Sequence, residues 1–406
     1  MGNQLNKWKD PIILLSSVGI SGIGDFIYLV AINILVYQMT GSATAVAGLW
    51  IIGPAVNVLT KFWTGSFIDY RSKRLIMIGT DMIRAIFVFS IPFLPSIWLI
   101  YVVLIGISAA KSFFTPASMT YITQLVPKDL RKRYNAIQSL TISGAFIVGP
   151  AIGGALILIG SVHIAIYINA ISFIISALLL YLLPEKEELV RSDIPRLTVE
   201  QVKSDWYVVI NYFKERKYIV IVYGAFVATV IFSFAMDAQE VVFTQKVVGL
   251  SEMDYSLLIS ITGIGAISGG VIVSLFAQRL SLRSMIAIGI VMETIGYILY
   301  SVSWSFISIT IGFIILGFFN AFLNAGITTF YQNNVSTNIM GRVTSMFQLI
   351  QSFMQVVFVL LVGAVADIIP LRVTIVSLAI GMLIIATILT VLVRLPSKKM
   401  YFNETE

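Results

Sequence analysis

Charged side chains are rare within the apolar stretches of this 406-residue chain, and the few that occur there are its candidates for chemistry. Asp25 stands near the middle of the first stretch, Glu293 lies midway along a later one, and Asp237 and Glu240 fall three residues apart near the end of another. An ionised carboxylate is costly in hydrocarbon, and one with no base close in sequence favours its neutral form, as a proton carrier requires. Asp25, Glu293 and Asp237 are therefore candidates for proton coupling, against the plainer role of hydrogen-bonding a neighbouring helix. Lys111 either answers Asp25 or Asp81 or snorkels to an interface. Asp81 and Arg84 are spaced to pair on one helix and orient it. Asn320 and Asn324, and Gln348, Gln351 and Gln355, make polar faces at helical spacing that line either a cavity or another helix.

The elements that must carry these residues follow from composition. The chain is 58% hydrophobic and 12% charged, with a mean hydropathy of +0.94. A soluble domain carries roughly 25% charged residues, so lipid is the solvent that fits. Twelve stretches are long and apolar enough to cross a bilayer: 12–37, 43–65, 75–95, 97–122, 136–159, 162–183, 218–243, 255–277, 284–303, 306–330, 343–365 and 371–394. The expected fold is an all-α membrane protein of twelve transmembrane helices. Cysteine is absent and His163 is the single histidine, which excludes thiol chemistry and any multi-histidine metal site. No phosphate-binding G-x-x-x-x-G-K-[ST] loop occurs, so ATP hydrolysis is not expected. An enzyme is the weaker class, and no cofactor is implied.

Basic residues orient the spans. Of 27 Lys and Arg, 22 fall in the terminal segments and the loops after even-numbered spans, two fall on the opposite side, and three (Lys61, Arg84 and Lys111) lie within spans. Positive charge accumulates on the cytoplasmic side, so both termini are expected inside. The net charge of +7 then reflects topology and anionic lipid rather than nucleic acid.

A polar stretch from Pro184 to Lys217 divides the chain into an expected first bundle (1–183), a cytoplasmic linker (184–217) and a second bundle (218–406). Within the linker, Val202, Trp206, Val209 and Phe213 fall at helical spacing, as in an amphipathic helix on the inner membrane surface. The halves resemble each other: 67–74 aligns with 276–283 and 126–133 with 335–342, both at an offset of 209 residues. Parallel six-plus-six repeats build carriers with a site near the midplane.

Gly65-Ser66-Phe67-Ile68-Asp69-Tyr70-Arg71-Ser72-Lys73-Arg74 resembles the GxxxD-(R/K)-x-G-(R/K)-(R/K) signature of the major facilitator superfamily. It departs at Tyr70 and Ser72, and Arg71 is placed to substitute for the missing charge. Gly149-Pro150-Ala151-Ile152-Gly153-Gly154 resembles that superfamily's antiporter motif, GPxxGG, in which small residues let helices touch and proline bends one of them. Asp25 before Thr40-Gly41-Ser42-Ala43, the Asp81 and Arg84 pair, Pro116-Ala117, Leu125-Val126-Pro127 and Gly341-Arg342-Val343 are similar to the macrolide-efflux branch. The arginine motif that many drug/proton antiporters carry in their fourth span is not recognisable.

The resemblance implies the major facilitator fold, with two six-helix bundles. It also implies conformational roles for Gly65, Asp69, Arg71, Lys73, Arg74, Asp81, Arg84, Gly149, Pro150, Gly153 and Gly154. The expected function is proton-coupled export of a small amphiphilic compound (a drug, antibiotic or siderophore) by a monomer in a bacterial plasma membrane. Metabolite uptake or facilitated diffusion, and a non-transporting sensor or scaffold, stand as alternatives. The partners expected are the substrate, protons and membrane lipid.

Overall fold

A computed structural model describes residues 2–40, 43–187, 198–250, 252–366 and 368–403. Gly41, Ser42, Arg191 and Arg196, which the sequence reading used, lie outside the described residues.

In hydrocarbon every backbone polar group needs an internal partner, and helix supplies one within the segment itself. The described residues form α1 (Gly2–Thr40), α2 (Ala43–Asp69), α3 (Lys73–Ser90), α4 (Ile97–Leu125), α5 (Lys128–Ile159), α6 (Val162–Tyr181) and α7 (Val199–Glu215). They continue with α8 (Lys217–Asp237), a single turn α9 (Glu240–Val242), α10 (Glu252–Phe276), α11 (Leu282–Val302), α12 (Phe306–Asn334), α13 (Thr337–Ala366) and α14 (Leu371–Arg394). Among the described residues, eleven of these helices are long and apolar enough to cross a membrane. The 27-residue α2 is the remaining long helix of the twelve-member series.

Several helices outrun the apolar stretches that announced them. The fifth stretch covers 136–159, whereas α5 has 32 residues and starts at Lys128, about 48 Å at 1.5 Å per residue. Hydropathy marks only what sits in hydrocarbon, and helices continue through the headgroups. Ser72 and Ser96 cap α3 and α4, accepting from the N–H of Leu75 and Trp98. The expected continuous span 218–243 is corrected: α8 stops at Asp237, and a one-turn helix and a wide turn follow before Gly249, which has φ +83°. Asp237 and Glu240 sit at that break.

Helix pairing repeats. α1 packs on α6, α2 on α4, and α3 on both α4 and α6. In the same way α8 packs on α14, α10 on α12, and α11 on both α12 and α14. The starts of α2 to α6 and those of α10 to α14 (α7 to α9 intervening) agree at the 209-residue offset: Ala43 with Glu252, Lys73 with Leu282, Ile97 with Phe306, Lys128 with Thr337, and Val162 with Leu371.

The chain divides into two compact units. One comprises Met1–Pro127, Gly144–Tyr212 and Val335–Leu349; the other comprises Lys128–Ser143, Phe213–Asn334 and Ile350–Glu406. The first holds a core of Ile27, Ala31, Val88, Ile100, Ile166 and Phe173, among others. The second is built around Met236, Phe243, Tyr300, Phe313 and Met382.

Candidate transport site

In the first unit, four helices converge on a polar network. The Lys111 Nζ on α4 donates to Asp25 Oδ2 on α1 at 3.1 Å, and Arg84 Nη1 on α3 lies 3.8 Å from the same oxygen. Arg84 also pairs with Asp81 one turn earlier. Asp81 Oδ2 accepts from Ser176 on α6 at 2.6 Å, and Ser176 is bonded to Ser17 of α1 at 2.8 Å. The Arg84 guanidinium lies over the rings of Phe173 (4.0 Å) and Phe114 (5.0 Å). Two acids thus meet two bases. Asp81 and Arg84 are buried, whereas Lys111 is 60% exposed and Asp25 29%. Asp25 is no isolated carboxyl, as its sequence neighbours implied: its partners arrive from residues 59 and 86 positions away.

The GPxxGG stretch supports this network from behind. A Cβ on Gly149 would sit 2.5 Å from Phe26 Cβ, and one on Gly153 would sit 3.1 Å from the Ile27 carbonyl oxygen. These two glycines press α5 against α1 at the residues following Asp25, whereas Gly154 faces open space. Pro150 lies within the unbroken α5.

The second unit places a different set at the matching helices. Tyr297 on α11 donates to Asp237 at the end of α8, 3.0 Å away. Glu293 Oε1, one turn earlier on α11, accepts from Asn320 of α12 at 3.0 Å, and Asn324 donates to the Asn320 side-chain oxygen at 2.9 Å. Glu293 is 7% exposed, yet its Oε2 has no partner among the described residues; the same holds for Glu240 Oε1 and the buried hydroxyl of Tyr300. Among the described residues, no lysine or arginine forms an ion pair with Asp237, Glu240 or Glu293. The offset of 209 relates Arg84 to Glu293, Lys111 to Asn320 and Tyr28 to Asp237. Where the first half carries two bases, the second carries an acid and an amide.

Gln348 lies in the first unit, and Gln351 and Gln355 in the second; all three are half-buried along α13. Among the described residues, they do not join either network through a side-chain bond. A groove of about 810 Å³ runs along α2, α3 and α4, bordered by Phe67, Leu75, Ile83, Phe113 and Glu187, and it includes none of the charged network around Asp25.

The loop motif after α2 forms a junction with the start of α13. Asp69 accepts from the backbone N–H of Gly341 (2.8 Å) and Arg342 (3.1 Å) and from Arg342 Nε (2.7 Å). A Cβ on Gly65 would fall 2.6 Å from Arg342 Cα, so the glycine permits this approach. Burial pushes the Asp69 carboxyl up to about 6 against the pull of Arg342, which leaves it ionised at neutral pH. Lys73 pairs with Glu187 at 2.5 Å and Arg74 with Glu185 at 3.5 Å. Arg71 turns away to lie over the Phe67 ring, 4.1 Å from its centroid, so it does not supply the charge missing at Tyr70. Sequence reasoning missed Ser17, Ser176, Tyr297 and the contacts of Asp205, none of which stands out by residue type alone.

The profile of the Major Facilitator Superfamily matches residues 14–359, most of the chain. The chain belongs to the major facilitator superfamily. Within it, the chain is 29% identical over 189 residues to the uncharacterised MFS-type transporter YfiS of Bacillus subtilis (strain 168), covering 46% of this chain and 45% of that protein. It is 25% identical over 221 residues to the multidrug efflux pump Tap of Mycolicibacterium fortuitum, covering 50% of this chain and 54% of Tap. It is also 29% identical over 172 residues to the putative bacilysin exporter BacE of Bacillus subtilis (strain 168), covering 40% and 41%. The chain thus spans about half the length of these relatives. Two solved structures share the fold at 13% identity. The human organic anion transporter MFSD10 (TETRAN) superposes with a TM-score of 0.76, covering 95% of this chain and 99% of that one. FucP in its outward conformation superposes with a TM-score of 0.77, covering 96% and 98%.

Proposed function

We propose that this transporter exports small amphiphilic organic compounds in exchange for protons, by alternating access between two six-helix halves (1–183 and 218–406) joined by the linker 184–217. The observation that carries the coupling is the contrast at repeat-related positions. Arg84 and Lys111 neutralise Asp81 and Asp25, whereas Glu293, Asp237 and Glu240 meet no cation among the described residues. Three carboxyls in a low-dielectric slab without counter-charge reach neutrality by holding protons or a cationic guest. Glu293 and Asp237 are therefore the proton carriers in this reading. Asp25, paired with Lys111 at an accessible position, lines the substrate route instead. Proton loading biases the rocking because the neutral and charged forms favour different exposures.

Export is in keeping with the names of Tap and BacE, and the basic-loop count favours both termini in the cytoplasm of a bacterial cell, with the chain read as a monomer. The test is uptake of a panel of amphiphilic compounds into everted membrane vesicles. An acid-inside gradient should accelerate uptake of at least one compound, and Glu293→Gln should abolish the acceleration. If the gradient changes uptake of none, or the variant responds as the parent does, the coupling assignment is wrong. Partner binding through the linker with no flux would instead mark a sensor.

A further inference from the structure

The α2–α13 junction has a third member. Asp205 of α7 is 2% exposed and accepts from Arg342 Nη1 at 2.7 Å, from the Tyr70 hydroxyl at 2.9 Å and from Gln201 Nε2 at 3.2 Å. One turn of the guanidinium fork away, Arg342 Nε holds Asp69, and Nη2 donates to the Asn338 carbonyl at 2.9 Å. A single guanidinium is thus shared between acids on two helices, with its fork fully engaged. The next residue, Trp206, donates from its indole to the Phe62 carbonyl at 2.9 Å, and its ring lies parallel to Phe62 at 5.4 Å. Val209, a turn further on, is buried.

We infer that α7 is a working part of the gate on this side: Asp205 and Trp206 clamp α2 to the start of α13 through Arg342 and Phe62, and they must release each time those ends part.

Three observations support this. First, α2 and α13 belong to opposite repeats, so alternating access has to separate them once per cycle. Their contact here is direct, down to Thr64 Oγ1 and Ser345 Oγ at 3.2 Å. Second, the clamp accounts for the departure at Tyr70. A basic residue there would set a second cation against Arg342, whereas tyrosine donates to Asp205 and lets the guanidinium lie 5.1 Å over its ring. Burial raises the Tyr70 hydroxyl, which keeps it a donor. The linker acid and the altered motif position thus form one device. Third, α7 has a footing of its own. Trp206 and Val209, expected from the sequence on the membrane-facing stripe, are instead docked in the protein, and Val199, Tyr207, Val208 and Ile210 are exposed on the other faces alongside Lys203 and Lys214, the make-up of a helix that rests on a membrane surface. It can let go of Arg342 without leaving the bilayer.

The clamp does not depend on cargo, direction or coupling ion. Because the chain has no cysteine, the pair Thr64→Cys and Ser345→Cys, in full-length protein in membranes, reports closure by disulfide yield. Asp205→Asn should lower the closed-to-open ratio about tenfold, the loss expected for a charge-assisted hydrogen bond. Trp206→Ala should lower it by a smaller factor, and Asp205→Glu should keep most of the yield. Yields equal to the parent in both Asp205→Asn and Trp206→Ala would overturn the inference. So would a loss in Asp205→Glu as large as in Asp205→Asn, since that would mark general disturbance of α7 rather than a missing acceptor for Arg342.

Discussion

Arg84 and Glu293 occupy the same place in two halves of one transporter, on α3 and α11, and carry opposite charges. Around Arg84 the counter-charges are complete: Asp81 and Asp25 face it, Lys111 closes the set, and two aromatic rings sandwich the guanidinium. Glu293 accepts from an asparagine, and one turn along α11 Tyr297 donates to another acid, Asp237. A balanced buried network can hold helices in register but has little reason to exchange its protons. An unbalanced one is held in check only by what it binds. The fold repeats while the electrostatics do not, and the proposed division into a structural half and a coupling half rests on that asymmetry.

The comparison can be broken most forcefully at Arg84. Arg84→Ala strands the buried Asp81 carboxyl and should cost about 3–5 kcal/mol of stability, read as thermal unfolding in detergent, while Glu293→Gln should leave the unfolding temperature nearly unchanged. Equal effects would erase the distinction. Next, Gly149→Ala drives a methyl to within 2.5 Å of Phe26 Cβ and should cost about 1–3 kcal/mol through overpacking by the same measurement, with Gly154→Ala neutral. Glu293→Gln should abolish the response of transport to a pH gradient, whereas Asp25→Asn should spare that response and alter apparent substrate affinity. The smallest effect belongs to Lys111→Ala: its exposed pairing with Asp25 should be worth less than about 1 kcal/mol, visible only as a slight shift in unfolding temperature.

Much of this was legible from residue order. Apolar length announced the helices, and the 209-residue offset between loops announced the repeat. Applied inside the spans, the same offset already relates Arg84 to Glu293 and Lys111 to Asn320. What could not be read were contacts between helices distant in sequence. Asp25 looks unpaired until α4 folds back with Lys111, 86 residues on. Asp205 looks like a solvated linker charge until α7 docks on Arg342, 137 residues away. The break after Asp237 escaped because hydropathy averages over a turn, and Phe243 and its neighbours keep the average apolar. Arg71 was assigned a charge-replacing role by adjacency, whereas Phe67 holds it elsewhere.

The register of the helix starts has a historical reading. Five successive helices begin at the same spacing in both halves, so no residue has been gained or lost on balance between those starts since a single ancestral half was copied. Within that shared frame the two halves differ by substitution, and Arg84 against Glu293 is the position inside it where the charge changes sign.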